Sequence, residues 1–362
     1  MIYVDNAATT SVRKEAIEAM WPYMTGAFGN PSSPHEVGKI ASAGLDDARA
    51  KVARIIGGRP NHITFTSGGT EANNLAIKGS CLANPRGRHL ITTPIEHDSI
   101  LETASYLERF HDFEITYLSP DRTGLVSPEQ LCEVLRPDTT LVSIGYANNE
   151  VGTVQPIARL AQASTAPFHT DAVQAAHLPF DIGVDALSLS GHKFGAPKGT
   201  GMLWSKLPLE PVIHGGGQEK GRRSGTENVA GAVAFARALE LTQEEHYPDL
   251  SEFITEVLRI PGATLTGHSQ MRLDGHASFL FDGIGSETVL LELERHGIVC
   301  SPGSACGSGE VSHVLLALGF SEDQARTAVR CTFGTSHSRE EIQFVATAIA
   351  EAVATVRGES LV

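Results

Sequence analysis

From about residue 37 the chain alternates between two hydrophobic periods, and that alternation leaves few folds open to it. Val37, Ile40, Ala41, Leu45, Ala48, Val52, Ile55 and Ile56 recur at three- and four-residue spacing. This spacing predicts a helix with one buried face, ended by Gly57-Gly58. His62-Ile-Thr-Phe-Thr66 is short and β-branched, so it reads as a strand, and Ser67-Gly-Gly-Thr70 turns into a helical stretch from Glu71. The cadence repeats with strands at His89–Thr93, Phe113–Tyr117, Thr140–Tyr146, Phe168–Thr170, Ala186–Ser190 and Gly201–Trp204. Helical patterns at Ser99–Phe110, Ser127–Leu135 and Ile157–Ala163 lie between several of them. Such alternation requires crossover connections, hence an α/β fold with a mainly parallel seven-stranded sheet covered by helices. After a long helix at Val229–Leu241 the polar stretch Gln243–Pro248 breaks the pattern. Beyond it come a helix, strand-like runs at Ala277–Phe281 and Ala328–Phe333, and a terminal helix from Arg339 to Val356, which reads as a second, smaller α+β domain.

Charge narrows the range of partners. The 362 residues carry 28 Lys+Arg against 42 Asp+Glu, a net −14 that argues against direct nucleic-acid binding and a polybasic membrane anchor. No stretch approaches the roughly 18 uncharged apolar residues of a membrane span, and Met1-Ile-Tyr-Val-Asp-Asn has no signal-peptide character. Five scattered cysteines, at 81, 132, 300, 306 and 331, are too few for a disulfide scaffold, and the expectation is a reducing, cytoplasmic compartment.

Four motifs carry chemistry. Ser67-Gly-Gly-Thr-Glu71 joins a strand to a helix, where small residues let backbone N–H groups approach an anion; the same residues also suit a tight turn with a Thr cap. His169-Thr-Asp171-Ala-Val-Gln174 puts a carboxylate at the end of a short strand, the edge where open α/β sheets bind ligands, or alternatively at a helix N-cap. Ser190-Gly-His192-Lys193 follows an apolar strand with a lysine among small residues, poorly explained as a solvated charge and suited to a Schiff base. Phosphate cup, strand-end Asp and strand-end Lys are the three handles that pyridoxal phosphate (PLP) requires. The fourth motif, Cys300-Ser-Pro-Gly-Ser-Ala-Cys306-Gly-Ser-Gly309, sets Cys306 among residues too small to bury it, so the thiol is expected to be exposed and in use. No metal site is expected, because Cys300, Cys306 and His313 match no usual zinc spacing. Cys81, Cys132, Cys300 and Cys331 read as packing residues.

With these motifs in hand, the chain resembles the NifS/IscS-like cysteine desulfurases, fold-type I PLP enzymes of the class V aminotransferase superfamily. The matching stretches are Tyr3–Thr10, Phe28–Ser33, Phe65–Glu71, Glu96-His97, Asn148–Glu150, His169–Asp171, Ser190–Lys193, Gly215–Gln218, Arg223–Thr226 and Gly303–Cys306, in family order along nearly the whole chain. The resemblance implies a large PLP-binding domain at 15–245 and a small domain, 1–14 with 246–362, carrying the Cys306 loop. It implies that Lys193 holds PLP and shuttles protons, that Asp171 pairs with the ring nitrogen, and that Gln174 bonds the phenolic oxygen. His97 is implied to stack on the ring as a candidate acid/base, and Gly69, Thr70, Ser190 and His192 to hold the phosphate, with Thr226 reaching in from the second subunit of a homodimer. Asn148 and Arg330 are implied to bind substrate, Arg330 by a bidentate grip on its carboxylate.

The implied reaction takes sulfur from L-cysteine, leaving L-alanine and a persulfide on Cys306 for a sulfur-acceptor protein, either a scaffold for iron–sulfur cluster assembly or a thio-modification enzyme. Three departures from the family pattern bear on the acceptor. The loop after Cys306 is about two residues short, the segment Ala161–Phe168 is shortened, and the chain stops soon after its last helix. A short, ordered loop is therefore expected to deliver sulfur only to a partner that comes close. DNA phosphorothioation or another dedicated pathway, reached through a partner protein, and selenocysteine lyase activity stand as alternatives.

Overall fold

The computed structural model describes residues 1–83, 85–303 and 311–358. Twelve strands are β1 (Ile2–Tyr3), β2 (Ile63–Thr66), β3 (His89–Thr92), β4 (Glu114–Tyr117), β5 (Thr139–Ser143), β6 (Phe168–Asp171), β7 (Ala186–Ser190), β8 (Gly201–Ser205), β9 (Ala263–Leu265), β10 (His276–Phe281), β11 (Ile298–Val299) and β12 (Ala328–Thr332). Seven of them form one sheet in the order β2-β8-β7-β6-β5-β3-β4, the seven strands the alternation predicts. β5, β7 and β8 are buried along their whole length, as parallel sheets covered on both faces must be. β8 alone runs antiparallel to its neighbours. It begins beside the end of β7, so residues 191–200 connect the two across the C-terminal edge of the parallel strands. Lys193 sits on that connection.

Helices at Lys14–Met24, Glu36–Ile55 and Val229–Thr242 cover one face of the sheet, with Ala41, Leu45, Ala48, Val52, Phe235 and Leu239 in the shared core. Val37 and Ile40, expected on the buried face of the Glu36–Ile55 helix, are exposed, whereas Gly38 and Ala41 of the same turn are buried. The opposite face is packed by Ile77, Cys81, Ile100, Leu107 and Leu141. Register between β5, β6 and β7 is pinned inside the sheet by His169. Its Nδ1 lies 2.9 Å from Ser143 Oγ and its Nε2 2.9 Å from Ser188 Oγ, and burial lowers its pKa to about 3, so the ring is neutral.

After Thr242 the chain builds a three-stranded antiparallel sheet, β12-β10-β9, packed by helices Ser286–Arg295 and Arg339–Arg357. Its core, including Phe253, Phe279, Phe281, Phe333 and Ile349, also takes in Val4 from the N-terminus. β1 pairs in parallel with β11, and Asp5 bridges to Thr332. The first residues thus belong to the C-terminal half in space and then cross to the large sheet, where Thr10 N donates to His192 O. No helix among the described residues is long and apolar enough to cross a membrane.

The cysteines divide differently from the sequence reading. Cys81 and Cys331 are buried and Cys300 is half-buried, but Cys132 is exposed. The short helix Pro128–Val134 buries only Leu131, which leaves its neighbour Cys132 on the outer side.

Candidate active site

A cavity of about 420 Å³ opens at the C-terminal edges of the parallel strands. The chain order reverses there: from β3 it moves outward to β4, then crosses back to β5, and such switch points leave a crevice for ligands. The cavity brings together Gly69, Thr70, His97, Asn148, Asp171, Gln174, Ser190, His192, Lys193 and Arg330 from six separate stretches of sequence. Thr226 does not join them; it lines a separate cavity with Glu219 and Arg223. Cys306 lies outside the described residues, as does the expectation about the length and order of its loop.

The turn after β2 has no Thr cap. The helix starting at Gly69 has Gly68 as its N-cap and no side-chain cap, so its first N–H groups keep their donors for the cavity. Glu71, which could have competed for them, turns back to accept from Ser67 N at 2.9 Å and pairs with Arg223. Space explains the glycines. A Cβ on Gly69 would lie 2.7 Å from Val173 Cγ2, and one on Gly201 would lie 2.5 Å from the carbonyl carbon of Gly68. Ser190 and His192 face this cup from the end of β7. The His192 ring, near Thr9 Oγ1 at 3.1 Å, is lowered to about 4 by burial and by Lys193 and Lys198.

Lys193 Nζ donates to Ala7 O at 2.5 Å and Ala8 O at 2.9 Å. Burial, with the Arg330 guanidinium nearby, lowers its pKa to about 8 against the pull of Asp171 and Asp5. Gln174 Nε2 donates to the same Ala7 carbonyl at 3.0 Å. Asp171, the last residue of β6, accepts from Val173 N on Oδ1 at 2.9 Å and from Asn73 Nδ2 on Oδ2 at 2.7 Å.

Arg330 is 3% exposed and is held from several sides: Nη2 by Asp5 Oδ1 at 2.7 Å and Ser301 Oγ at 2.9 Å, Nη1 by the carbonyls of Asn149 and Gly303. Both terminal nitrogens therefore have protein partners here, which leaves no bidentate face free; Nε is buried without a partner among the described residues. Asn148 is similarly committed. Its Oδ1 accepts from Glu150 N and Val151 N and its Nδ2 donates to Ile95 O, an arrangement that fixes the loop after β5. His97 caps the helix Asp98–His111, Nδ1 accepting from Ser99 N at 3.0 Å.

Sequence reasoning missed Asp5, Ala7, Ala8, Asn73 and Glu96 as site residues. Glu96 lines the cavity, accepts from Thr93 Oγ1 and Gly145 N, and is raised to about 7, chiefly by burial. All five stand within the stretches Tyr3–Thr10, Glu96-His97 or the helix after Ser67–Thr70, so proximity to a motif was the available signal.

Three comparisons bear on this geometry. A model of the class-V aminotransferase family matches residues 2–345. The cysteine desulfurase IscS of Methanosarcina thermophila is 44% identical, over 99% of this chain and 93% of its own. Among solved structures, a NifS-like protein superposes with a TM-score of 0.89 at 35% identity, covering 98% of this chain and 99% of that one. A structure titled SspA in complex with cysteine gives 0.82, also at 35% identity, covering 93% and 100%. Uncapped helix start, strand-end carboxylate and half-buried low-pKa amine are thus set on a backbone that matches these proteins nearly end to end, and the chain belongs to the cysteine desulfurase family, PLP-dependent enzymes within aminotransferase class V.

Proposed function

We propose that the cavity binds PLP and L-cysteine together, and that this chain moves the substrate sulfur to Cys306, releasing L-alanine. The observation that carries the reading is the convergence of three PLP handles from three elements in one cavity: the uncapped helix start at Gly69, Asp171 at the end of β6, and Lys193 after β7. Gly69 and Thr70 N–H groups with Ser190 and His192 would hold the phosphate. Thr226, which lies in a different cavity, would reach the phosphate of a second copy.

When bound, PLP supplies an aldehyde carbon for an amine and an electron sink for the substrate Cα. Lys193, with its lowered pKa, offers a neutral amine to that carbon at mildly alkaline pH and a proton shuttle at Cα afterwards. Asp171, fixed by two N–H donors, would hold a proton at the ring nitrogen, and Gln174 would donate toward the ring oxygen. Arg330, which lines the cavity, would meet the substrate carboxylate by exchanging some of its present protein partners. Cys306 thiolate attacks the substrate sulfur; the C–S bond breaks and its electron pair returns to the substrate carbon, which becomes alanine after protonation. Both described ends of the segment that carries Cys306 tie back to the site. Gly303 O accepts from Arg330 Nη1 at 2.9 Å, and His313 Nε2 lies 3.1 Å from Glu96 O.

Residues 15–245 serve as the PLP-binding domain and 1–14 with 246–362 as the small domain, a division supported by two separate hydrophobic cores. The working unit is a homodimer in the cytoplasm, and a sulfur-acceptor protein takes the persulfide. The purified protein is expected to be yellow and to release alanine from L-cysteine. Lys193→Ala loses the colour, whereas Cys306→Ser keeps it and forms no persulfide. Persulfide formed at the normal rate by Cys306→Ser would assign the nucleophile elsewhere.

A further inference from the structure

Asp171 and His97 stand on different elements, yet a continuous line of hydrogen bonds joins them through Asn73 and Ser99. Asn73 Nδ2 donates to Asp171 Oδ2 at 2.7 Å and to Ser99 Oγ at 2.9 Å. Ser99 Oγ lies 2.9 Å from His97 Nδ1, and Ser99 N donates to that same nitrogen at 3.0 Å. Asn73 and Ser99 are buried, and all four residues line the cavity.

We propose that Asn73 and Ser99 are positioning residues that hold the neutral His97 ring in the tautomer with its proton on Nε2. The direction of every bond in the line follows from its two ends. An ionised carboxylate only accepts, so Asp171 requires the NH₂ end of the Asn73 amide. The reverse amide orientation would bring Oδ1 to 2.7 Å from Oδ2, two acceptors in contact. The second hydrogen of that NH₂ goes to Ser99 Oγ; because the Ser99 backbone N–H already donates to His97 Nδ1, the Ser99 hydroxyl can only donate to that nitrogen as well. That nitrogen then receives two donors, the Ser99 hydroxyl and the Ser99 backbone N–H, and has no room for a hydrogen of its own. The ring proton is left on Nε2.

The consequence deepens the reading of the site given above and rests on it only for its catalytic meaning. A neutral His97 with Nε2–H offers the cavity a hydrogen-bond donor to a substrate or cofactor atom. The line also makes this setting depend on the Asp171 carboxylate at its other end.

The test is long-range ¹H–¹⁵N correlation of the histidine rings in the full chain as purified, with His97 assigned by the signal missing from His97→Gln. The expected pattern has a protonated Nε2 and an unprotonated Nδ1. Ser99→Ala removes one of the two donors and is expected to shift the tautomer ratio by about fivefold toward Nδ1–H, the worth of one ordinary hydrogen bond. Asn73→Ala frees the Ser99 hydroxyl to turn and is expected to shift the ratio in the same direction. A His97 ring protonated on Nδ1 in the parent protein would overturn the proposal, as would parent-like ratios in both variants when their amide spectra remain folded. Alanine release from L-cysteine is measured separately, so loss of activity with the tautomer intact counts against the proposed function and not against this line of bonds.

Discussion

At Lys193 the protein works against a positive charge it must nevertheless accommodate. Lys193 is half-buried, Arg330 stands near its ammonium, and its main hydrogen-bond partners are two backbone carbonyls of the N-terminal segment. A folded-state pKa of about 8 against 10.5 means that the folded chain gives up this proton first as pH rises. Between those two values the unfolded chain binds more protons, so stability gained from this residue rises with pH across that window and is lowest below it. We expect the urea midpoint of cofactor-free protein, compared with Lys193→Met, to climb from pH 8 toward pH 10.5; a constant difference would place the amine in water. The sequence made Lys193 legible because it lacks charged neighbours. Asn73 was not legible, since an Asn inside a helical stretch has no pattern to distinguish it until Asp171 is found at 2.7 Å.

Among the elements, the site depends most on how closely β8 passes the turn after β2. Gly201 opens β8 against the backbone of Gly68, and there is no flexible side chain at that contact to yield. Gly201→Ala should push the cup apart, with a loss of about 2 kcal/mol in stability, the scale of overpacking, and weaker retention of the cofactor on dialysis. Denaturation midpoint and absorbance of the dialysed protein measure the two effects. An alanine variant that keeps both would show that the turn can move without cost. Strand and helix positions were largely readable beforehand: the Ile157–Ala163 helix and the Ala186–Ser190 strand stand at their predicted bounds, because period and flanking residues agree there. The Lys14–Met24 helix was not read, since Pro22 lies inside it and it buries only Ala16.

Across the whole molecule, several large apolar side chains of the first two helices and the loop between them are exposed. Trp21 is 61% exposed and Phe28 71%, with Ile17, Met24 and Ile40 exposed on the same helices and the loop between them. This is the face a second copy of the chain would cover in the proposed homodimer. Val37 and Ile40 belong to the same set, their apolar character matching a helix period without matching the core of this chain. Trp21→Asp combined with Phe28→Asp should convert the protein to a monomer in light scattering. A dimer of unchanged mass would place the interface elsewhere.

The sequence by itself determined the α/β alternation and the seven-stranded sheet, and it singled out the residues proposed as cofactor handles. Each of these is written in short-range information: hydrophobic period, turn residues, and reactive side chains in small-residue loops. Only the tertiary structure decided that Asp5, Ala7 and Ala8 belong to the same cavity as Lys193 and Arg330, that Arg330 is already paired, and that Asn73 and Ser99 connect Asp171 to His97. Those relations join residues distant in sequence across β1, β6, β7 and β12. Those involving Asp5, Ala7 and Ala8 exist only once the N-terminal strand has paired with β11 and the chain has closed over the edge of the sheet.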